Sequence, residues 1–315
     1  MAIGTVYRST GSNYLVKDEN NAFVDLVLTG RLRTSGSKAT NPVAVGDIVV
    51  FETEGEAAGG ITEIKERKNH IVRRSVNLSK RTQVIAANLD QAVLLVTIAA
   101  PRTSTGFMDR FLVTAEAYSI PTIIVFNKVD AYGEDELRLM KLHKATYERV
   151  GYECLVVSAL EGTGLSELKS SLKDRTTLLS GHSGVGKSTL INAIQPGIEL
   201  KTKEVSSFHE KGQHTTTFAE MFDLEMGGRM IDTPGIKGFG LVGMEPELIG
   251  DQFPEIFELK GSCKFNNCLH VKEPGCAVLA ALEQGDIAQS RYKNYLGFVN
   301  GDEDESPYRQ DIYAE

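Results

Sequence analysis

The sequence predicts a multidomain α/β protein. A small β-barrel comes first, then a parallel sheet covered by helices, then a helical unit built around a metal cluster. Three observations carry that reading. Residues 1–70 hold five short alternating apolar stretches separated by turn signals. From residue 84, continuous apolar runs alternate with helical patterns. Three of the four cysteines lie between Cys263 and Cys276.

The barrel strands are expected at 4–7, 14–17, 22–29, 47–52 and 60–64. Breaks fall at Gly11-Ser12, Ser35-Gly36-Ser37, Asn41-Pro42, Gly46-Asp47 and Gly59-Gly60. Five short strands in so few residues suggest a small barrel, and the OB-fold is the commonest such design. The net charge is −8 overall, yet residues 1–81 carry +3, residues 82–242 carry −3 and residues 243–315 carry −8. Residues 65–81 hold seven basic side chains and one acid, Glu66. The whole chain would repel a polyanion, so a nucleic-acid contact would start from this stretch. On charge alone the stretch reads equally well as a solvated linker, and 71–83 is expected to be a basic linker between the first two units.

The central unit is expected over 84–242. Strands are predicted at 93–98, 122–126, 153–157, 177–179, 219–224 and 229–231. Helices are predicted near 107–118, 134–150, 165–172 and 187–194. Apolar strands joined by helices mean a parallel sheet covered on both faces. Residues 243–315 read as helical around the cysteines, with an acidic tail.

Gly181, His182, Ser183, Gly184, Val185, Gly186, Lys187 and Ser188 spell GxxxxGK[ST], followed by Thr189. A strand precedes the motif and a helix follows it, as a phosphate loop requires. The glycines let backbone N–H groups wrap a phosphate at a helix N-terminus, where the dipole favours negative charge. Lys187 would reach the β- and γ-phosphates, and the Ser188 hydroxyl would bind Mg²⁺.

The base is selected elsewhere. Asn127, Lys128, Val129 and Asp130 end the strand at 122–126, at the edge where open α/β sheets bind ligands. Asp130 can accept from guanine N1–H and N2–H₂, a donor pair adenine lacks. Asn127 can bond base and loop, and the Lys128 stem can cover the base face. Ser158 and Ala159 follow the next strand and can offer a backbone N–H to guanine O6. Asp232 would reach Mg²⁺ through a water, and Gly235 would sense the γ-phosphate. Thr215, Thr216 and Thr217 offer a second magnesium-linked hydroxyl; Thr216 is taken as the candidate, with the choice among the three left open.

Ordinary small GTPases run phosphate loop, switch threonine, DxxG, NKxD, then SA. Here the motifs fall at 127–130, 158–159, 181–188, 215–217 and 232–235. The cyclic order is intact and the start point has moved, so the reading is a circularly permuted GTPase domain. Domain termini lie close together at the surface, which makes such a permutation tolerable. Its consequence is that the DxxG switch runs straight into the C-terminal unit.

Cys263, Cys268, His270 and Cys276 form C-x₄-C-x-H-x₅-C. Three thiolates and one imidazole make a closed tetrahedral zinc set, suited to structure rather than catalysis. Cys154, inside an apolar strand, reads as a core residue.

With these motifs together, the chain resembles the bacterial small-ribosomal-subunit-dependent GTPase family known as RsgA or YjeQ. The resemblance spans residues 1 to about 300. It implies an OB-fold N-terminal domain, GTP hydrolysis, and action in late maturation of the 30S subunit with contact to 16S rRNA. Position 184 is Gly where potassium-activated relatives carry Asn, and Ile236 stands where Ras-like enzymes carry a water-orienting Gln. The resemblance therefore points to a histidine of the 201–217 loop, His214, as the catalytic residue, with His209 as the second choice. His214 abuts the threonines expected at Mg²⁺.

The expected ligands are GTP and GDP with Mg²⁺, and one structural Zn²⁺. The expected partner is the 30S subunit with its 16S rRNA; the protein is expected to act as a monomer. The longest apolar run, residues 92–101, falls well short of the roughly 20 residues a membrane helix needs. No leader-like apolar core opens the chain, so a cytoplasmic protein without a membrane partner is expected. Two other readings compete with this one. One is an RNA-binding module whose nucleotide pocket barely turns over; turnover with and without ribosomal subunits separates it. The other is a P-loop ATPase or kinase, against which Asp130 argues.

Overall fold

The computed structural model describes residues 1–29, 42–52, 59–74, 82–197, 219–233 and 244–301. Strands β1 (Ala2–Ser9), β2 (Asn13–Asp18), β3 (Phe23–Leu28), β4 (Ile48–Glu52) and β5 (Gly59–Ile64) pair in the order β1-β2-β3-β5-β4, and β4 closes back on β1. The β3–β5 pair is parallel and the other pairs are antiparallel. This is the closed five-stranded barrel expected of an OB-fold. Alternation turns Val6, Tyr14, Val16, Leu26, Val49, Phe51 and Ile61 inward, where they form one buried cluster.

Strands β6 (His70–Arg74) and β7 (Thr82–Ala87) form a separate antiparallel pair, with His70 opposite Ala87 and Arg74 opposite Thr82. Both ends of the stretch read as a basic linker are therefore strand. The pair is held by burial of Ile71, Val72, Val84 and Ala86. Arg73 and Arg74 break up the apolar signal of β6, so charge dominated the reading. Val45 bridges to Ala86 and ties this pair to the barrel. The chain approaches so closely there that a side chain on Gly46, at φ +90°, would sit 2.1 Å from the Ala87 carbonyl oxygen.

The central unit runs β8 (Gln91–Val96), α1 (Thr105–Ala117), β9 (Thr122–Phe126), α2 (Glu134–Arg149), β10 (Glu153–Val156), α3 (Leu165–Leu172), β11 (Thr176–Ser180), α4 (Lys187–Ile194), β12 (Glu220–Asp223) and β13 (Arg229–Asp232). The strand order is β10-β9-β8-β11-β13-β12, parallel except for β12. Ala92, Leu94 and Val96 of β8 face α1 and α2, while Val93 and Leu95 face α3 and α4. That two-sided burial explains the continuous apolar runs. The chain winds outward from β8 to β10 and then returns to place β11 on the other side of β8. The crevice at this reversal, at the carboxyl ends of β8 and β11, is where such sheets bind ligands.

The barrel does not hang free. β1 pairs antiparallel with β12 through Arg8 and Glu220, joining barrel and central unit into one eleven-stranded sheet. The Tyr7 hydroxyl donates to Asp223 Oδ1 and Lys17 Nζ to Asp223 Oδ2, each at 2.6 Å.

The C-terminal unit holds α5 (Pro246–Ile249), α6 (Pro254–Lys260), α7 (Ala277–Glu283) and α8 (Gln289–Val299). Its core, including Phe253, Ile256, Tyr292, Tyr295 and Phe298, packs against Val113 of α1. Below that contact Arg291, 1% exposed, donates to both Glu255 oxygens at 2.7 and 2.9 Å and to Asp109 Oδ1 at 2.6 Å. Asp109 also accepts from Tyr147 and Asn294. Buried charges survive only when paired and bonded in this way. No helix among the described residues is long and apolar enough to cross a membrane.

Candidate functional site

β11 delivers the chain into the loop from Gly181 to Gly186, and α4 begins at Lys187. Two glycines here are dictated by space. A Cβ on Gly181 would lie 2.6 Å from the Leu95 carbonyl oxygen, and one on Gly186, at φ +98°, 2.5 Å from Asn127 Nδ2. Lys187 folds back over the loop, donating to the carbonyls of Gly181 at 2.6 Å and His182 at 3.1 Å. Burial lowers its pKa to about 8, against the pull of Asp232. Ser188 and Thr189 follow on the first turn of α4.

Asp232 closes β13 beside this loop and is 5% exposed. Burial raises its pKa to about 6, against the Lys187 ammonium. Its Oδ1 is buried without a hydrogen-bond partner among the described residues. An orphaned carboxylate oxygen next to the Lys187 ammonium fits a magnesium-water contact.

Asn127 is 1% exposed and ties the site together. Its Nδ2 donates to the Val185 carbonyl at 2.8 Å, inside the phosphate loop. Its Oδ1 accepts from Ala159 N–H at 3.1 Å. The three motifs thus meet, although they are spread over residues 127–188. The Ala159 N–H, expected to face a base, here supplies the donor that the buried Asn127 oxygen needs. Ser158 Oγ is also engaged, accepting from Glu161 N–H. Lys128 sits at φ +66° and lays its ammonium on the Ala100 carbonyl at 2.6 Å. Val129 and Asp130 form a short 3₁₀ turn, with Asp130 exposed to solvent. That exposure suits an acceptor for an incoming base.

Sequence reasoning missed the braces. The Tyr132 hydroxyl donates to the Asn127 carbonyl at 2.5 Å and accepts from Ile98 N–H at 2.8 Å. Thr103 Oγ1 lies 2.7 Å from His182 Nε2, and a Cβ on Gly184 would lie 3.2 Å from the Pro101 ring. The available signal was position: residues 97–103 leave the carboxyl end of β8, on the crevice. His214, His209, Thr215, Thr216, Thr217, Gly235 and Ile236 lie outside the described residues.

The second cluster is in the C-terminal unit. The ligand atoms of Cys263, Cys268, His270 and Cys276 all lie within 4.8 Å of one another. Cys263 Sγ to Cys276 Sγ is 3.9 Å, and His270 Nδ1 lies 3.5 and 3.4 Å from those sulfurs. Tetrahedral zinc would set S···S at about 3.8 Å and S···N at about 3.6 Å, so the donor set fits that ion. Hydrogen bonds fix the frame around the cluster. Tyr292 and Tyr295 hydroxyls hold the carbonyls of His270 and Leu269 at 2.7 and 2.6 Å. Burial would raise the Glu273 carboxyl, but N–H groups of Leu269, Lys272 and Val271 outweigh it and hold it down to about 2. Burial, with the neighbouring sulfurs, pushes the Cys268 thiol up to about 12, a shift a divalent cation would reverse.

Comparison with known proteins adds the following. A family model described as RsgA GTPase matches residues 64–242. The chain is 55% identical over 313 residues to the small ribosomal subunit biogenesis GTPase RsgA of Christiangramia forsetii, covering 98% of this chain and 99% of that one. It is 54% identical over 315 residues to the protein of the same name from Flavobacterium johnsoniae, covering 99% and 96%. Among solved structures it resembles YjeQ from Thermotoga maritima, with TM-score 0.77, 34% identity and coverage of 95% and 98%. It also resembles YloQ, described as a circularly permuted GTPase, with TM-score 0.72, 32% identity and coverage of 98% and 96%.

Proposed function

The chain belongs to the RsgA GTPase family, and from that premise we propose how it serves small ribosomal subunit biogenesis as a GTP hydrolase, converting GTP and water to GDP and phosphate. The observation that carries the reading is the double engagement of Asn127, which holds base motif, Ser-Ala turn and phosphate loop in one site.

In this reading Asp130 accepts from guanine N1–H and N2–H₂. Asn127 keeps a second amide N–H for the base. The Lys128 stem covers one base face, and Ser158 with Ala159 closes the far edge. The loop amides of residues 181–187 wrap the phosphates, and Lys187 leaves the Gly181 and His182 carbonyls to pair with them. Ser188, Thr216 and, through water, Asp232 would hold Mg²⁺, which supplies neutralisation of charge developing on the phosphate oxygens. Gly235 senses the γ-phosphate. His214 orients the attacking water, and a docked 30S subunit stimulates the step.

Cys263, Cys268, His270 and Cys276 would hold one structural Zn²⁺, which cross-links residues 244–301. Residues 1–70 and the basic stretch 65–81 supply the 16S rRNA contact, residues 84–242 the chemistry, and residues 243–315 a zinc-binding helical unit with an acidic tail. The protein works as a monomer in the cytoplasm, where thiols stay reduced.

The test is GTP turnover with and without 30S subunits. Slow turnover alone and strong stimulation are expected. His214→Ala should abolish the stimulated rate at near-normal GTP affinity. A variant that turns over like wild type on 30S subunits would transfer the role to His209 or to a ribosomal group.

A further inference from the structure

His182 is the second residue of the phosphate loop, yet its side chain is turned inward and 2% exposed. It packs edge-on against Phe107, with ring centroids 5.6 Å apart. Its Nε2 lies 2.7 Å from Thr103 Oγ1, and its Nδ1 lies 3.0 Å from the carbonyl oxygen of Ser183.

The surrounding groups decide where each proton sits. The Ser183 carbonyl can only accept, so Nδ1 must carry a hydrogen. Burial, reinforced by the Lys187 and Lys128 ammonium groups, pulls the imidazole pKa down to about 4, outweighing the Ser183 carbonyl, so the ring is neutral at working pH. A neutral ring with Nδ1–H has a bare Nε2, which accepts from the Thr103 hydroxyl. The same hydroxyl oxygen accepts from Thr97 N–H at 3.0 Å, and Thr103 N–H returns a bond to the Thr97 carbonyl at 2.8 Å. The chain of bonds therefore runs one way, from β8's exit through Thr103 and His182 to the Ser183 carbonyl.

The consequence falls on the next amide. Ser183 C=O and Gly184 N–H belong to one planar trans peptide, so they point in opposite directions. Drawing the carbonyl toward the buried ring turns the Gly184 N–H to the outer side of the loop, where Ser183 and Gly184 are exposed.

We propose that His182 is a positioning residue for phosphate binding: held as the Nδ1–H tautomer between Thr103 and the Ser183 carbonyl, its ring aims the Gly184 amide at the nucleotide's phosphates. This rests on the phosphate-loop assignment above. The ring also couples two parts of the site, because the 97–103 segment that anchors it carries the Ala100 carbonyl on which Lys128 rests.

The experiment uses the full chain labelled with ¹⁵N in its six histidines. His182→Gln identifies the signal by its loss. Ring nitrogen shifts are recorded from pH 5.5 to 8.5, with and without Mg²⁺-GDP. The expected result is an Nδ1–H neutral imidazole that does not titrate. An Nε2–H tautomer, or a ring that titrates as an ordinary histidine, overturns the proposal. GDP affinity supplies the second readout. His182→Leu should weaken GDP about tenfold through a misdirected donor. His182→Gln, whose amide can donate to the same carbonyl, should recover most of that loss. If Leu and Gln behave alike, the side chain only packs and the inference fails. Wild-type protein that binds no GDP would sink the phosphate-loop assignment itself, a separate outcome.

Discussion

Asp130 is the residue on which the proposed base choice turns. It is exposed in the middle of a short 3₁₀ turn, free to meet a base edge, while its neighbour Asn127 is buried as a brace. Asp130→Asn replaces a two-site acceptor with an amide and leaves guanine donors unpaired. The expected loss in GTP affinity is about 1–3 kcal/mol, read by titration with a fluorescent guanine nucleotide. Unchanged affinity would remove Asp130 from the site. Lys187 makes a second prediction, about protons. Burial holds it at about pKa 8 in the nucleotide-free protein. Phosphates favour the charged ammonium and raise that value. Binding of Mg²⁺-GDP at pH 8 should therefore take up about half a proton per chain, since the free amine is then half-charged. Calorimetry in buffers of different ionisation enthalpy measures it, and zero uptake would mean the lysine is already fully charged.

At the scale of elements, the C-terminal helices are short. α6 and α7 have seven residues each, too few to stand without tertiary support. The segment between them carries Cys263, Cys268 and His270, and Cys276 caps α7. Metal binding and folding are one process in such a frame. Cys263→Ala, or prolonged chelation, should speed amide exchange across residues 244–301 while β8 to β11 stay protected. Metal analysis should find one zinc per chain in unchelated protein. Protection that survives metal loss would show that the helices hold themselves.

For the whole molecule, two junctions set how the parts communicate. β1 adds to β12, so the barrel and the β12–β13 hairpin share one sheet, latched at Asp223. The opposite junction is the buried Arg291 cluster, which ties α8 and α6 to Asp109 on α1. Arg291→Ala strands two carboxylates away from water. The expected cost is about 3–5 kcal/mol at this junction, seen as a lowered denaturant midpoint for the C-terminal unit. A midpoint equal to wild type would show that Val113 and its apolar neighbours hold the junction alone.

The sequence by itself determined most elements of the central unit and the order of its motifs. The 122–126 strand and the 165–172 and 187–194 helices stand at the residues expected, because apolar period and glycine placement are local signals. The Cys/His cluster and the permuted motif order were legible for the same reason: each is written in nearby residue types. What only the tertiary structure decided were partnerships between distant residues. Burial of Ile71 and Val84 made strands out of a stretch whose charge suggested a linker. β1 found its third partner, β12, more than two hundred residues away. His182 met Thr103, and Arg291 met Asp109, across separations that no local pattern records. A polar or charged side chain looks solvent-exposed in sequence. Only the packed fold shows that its partner is buried beside it, and that the pair's hydrogen bonds offset the loss of water.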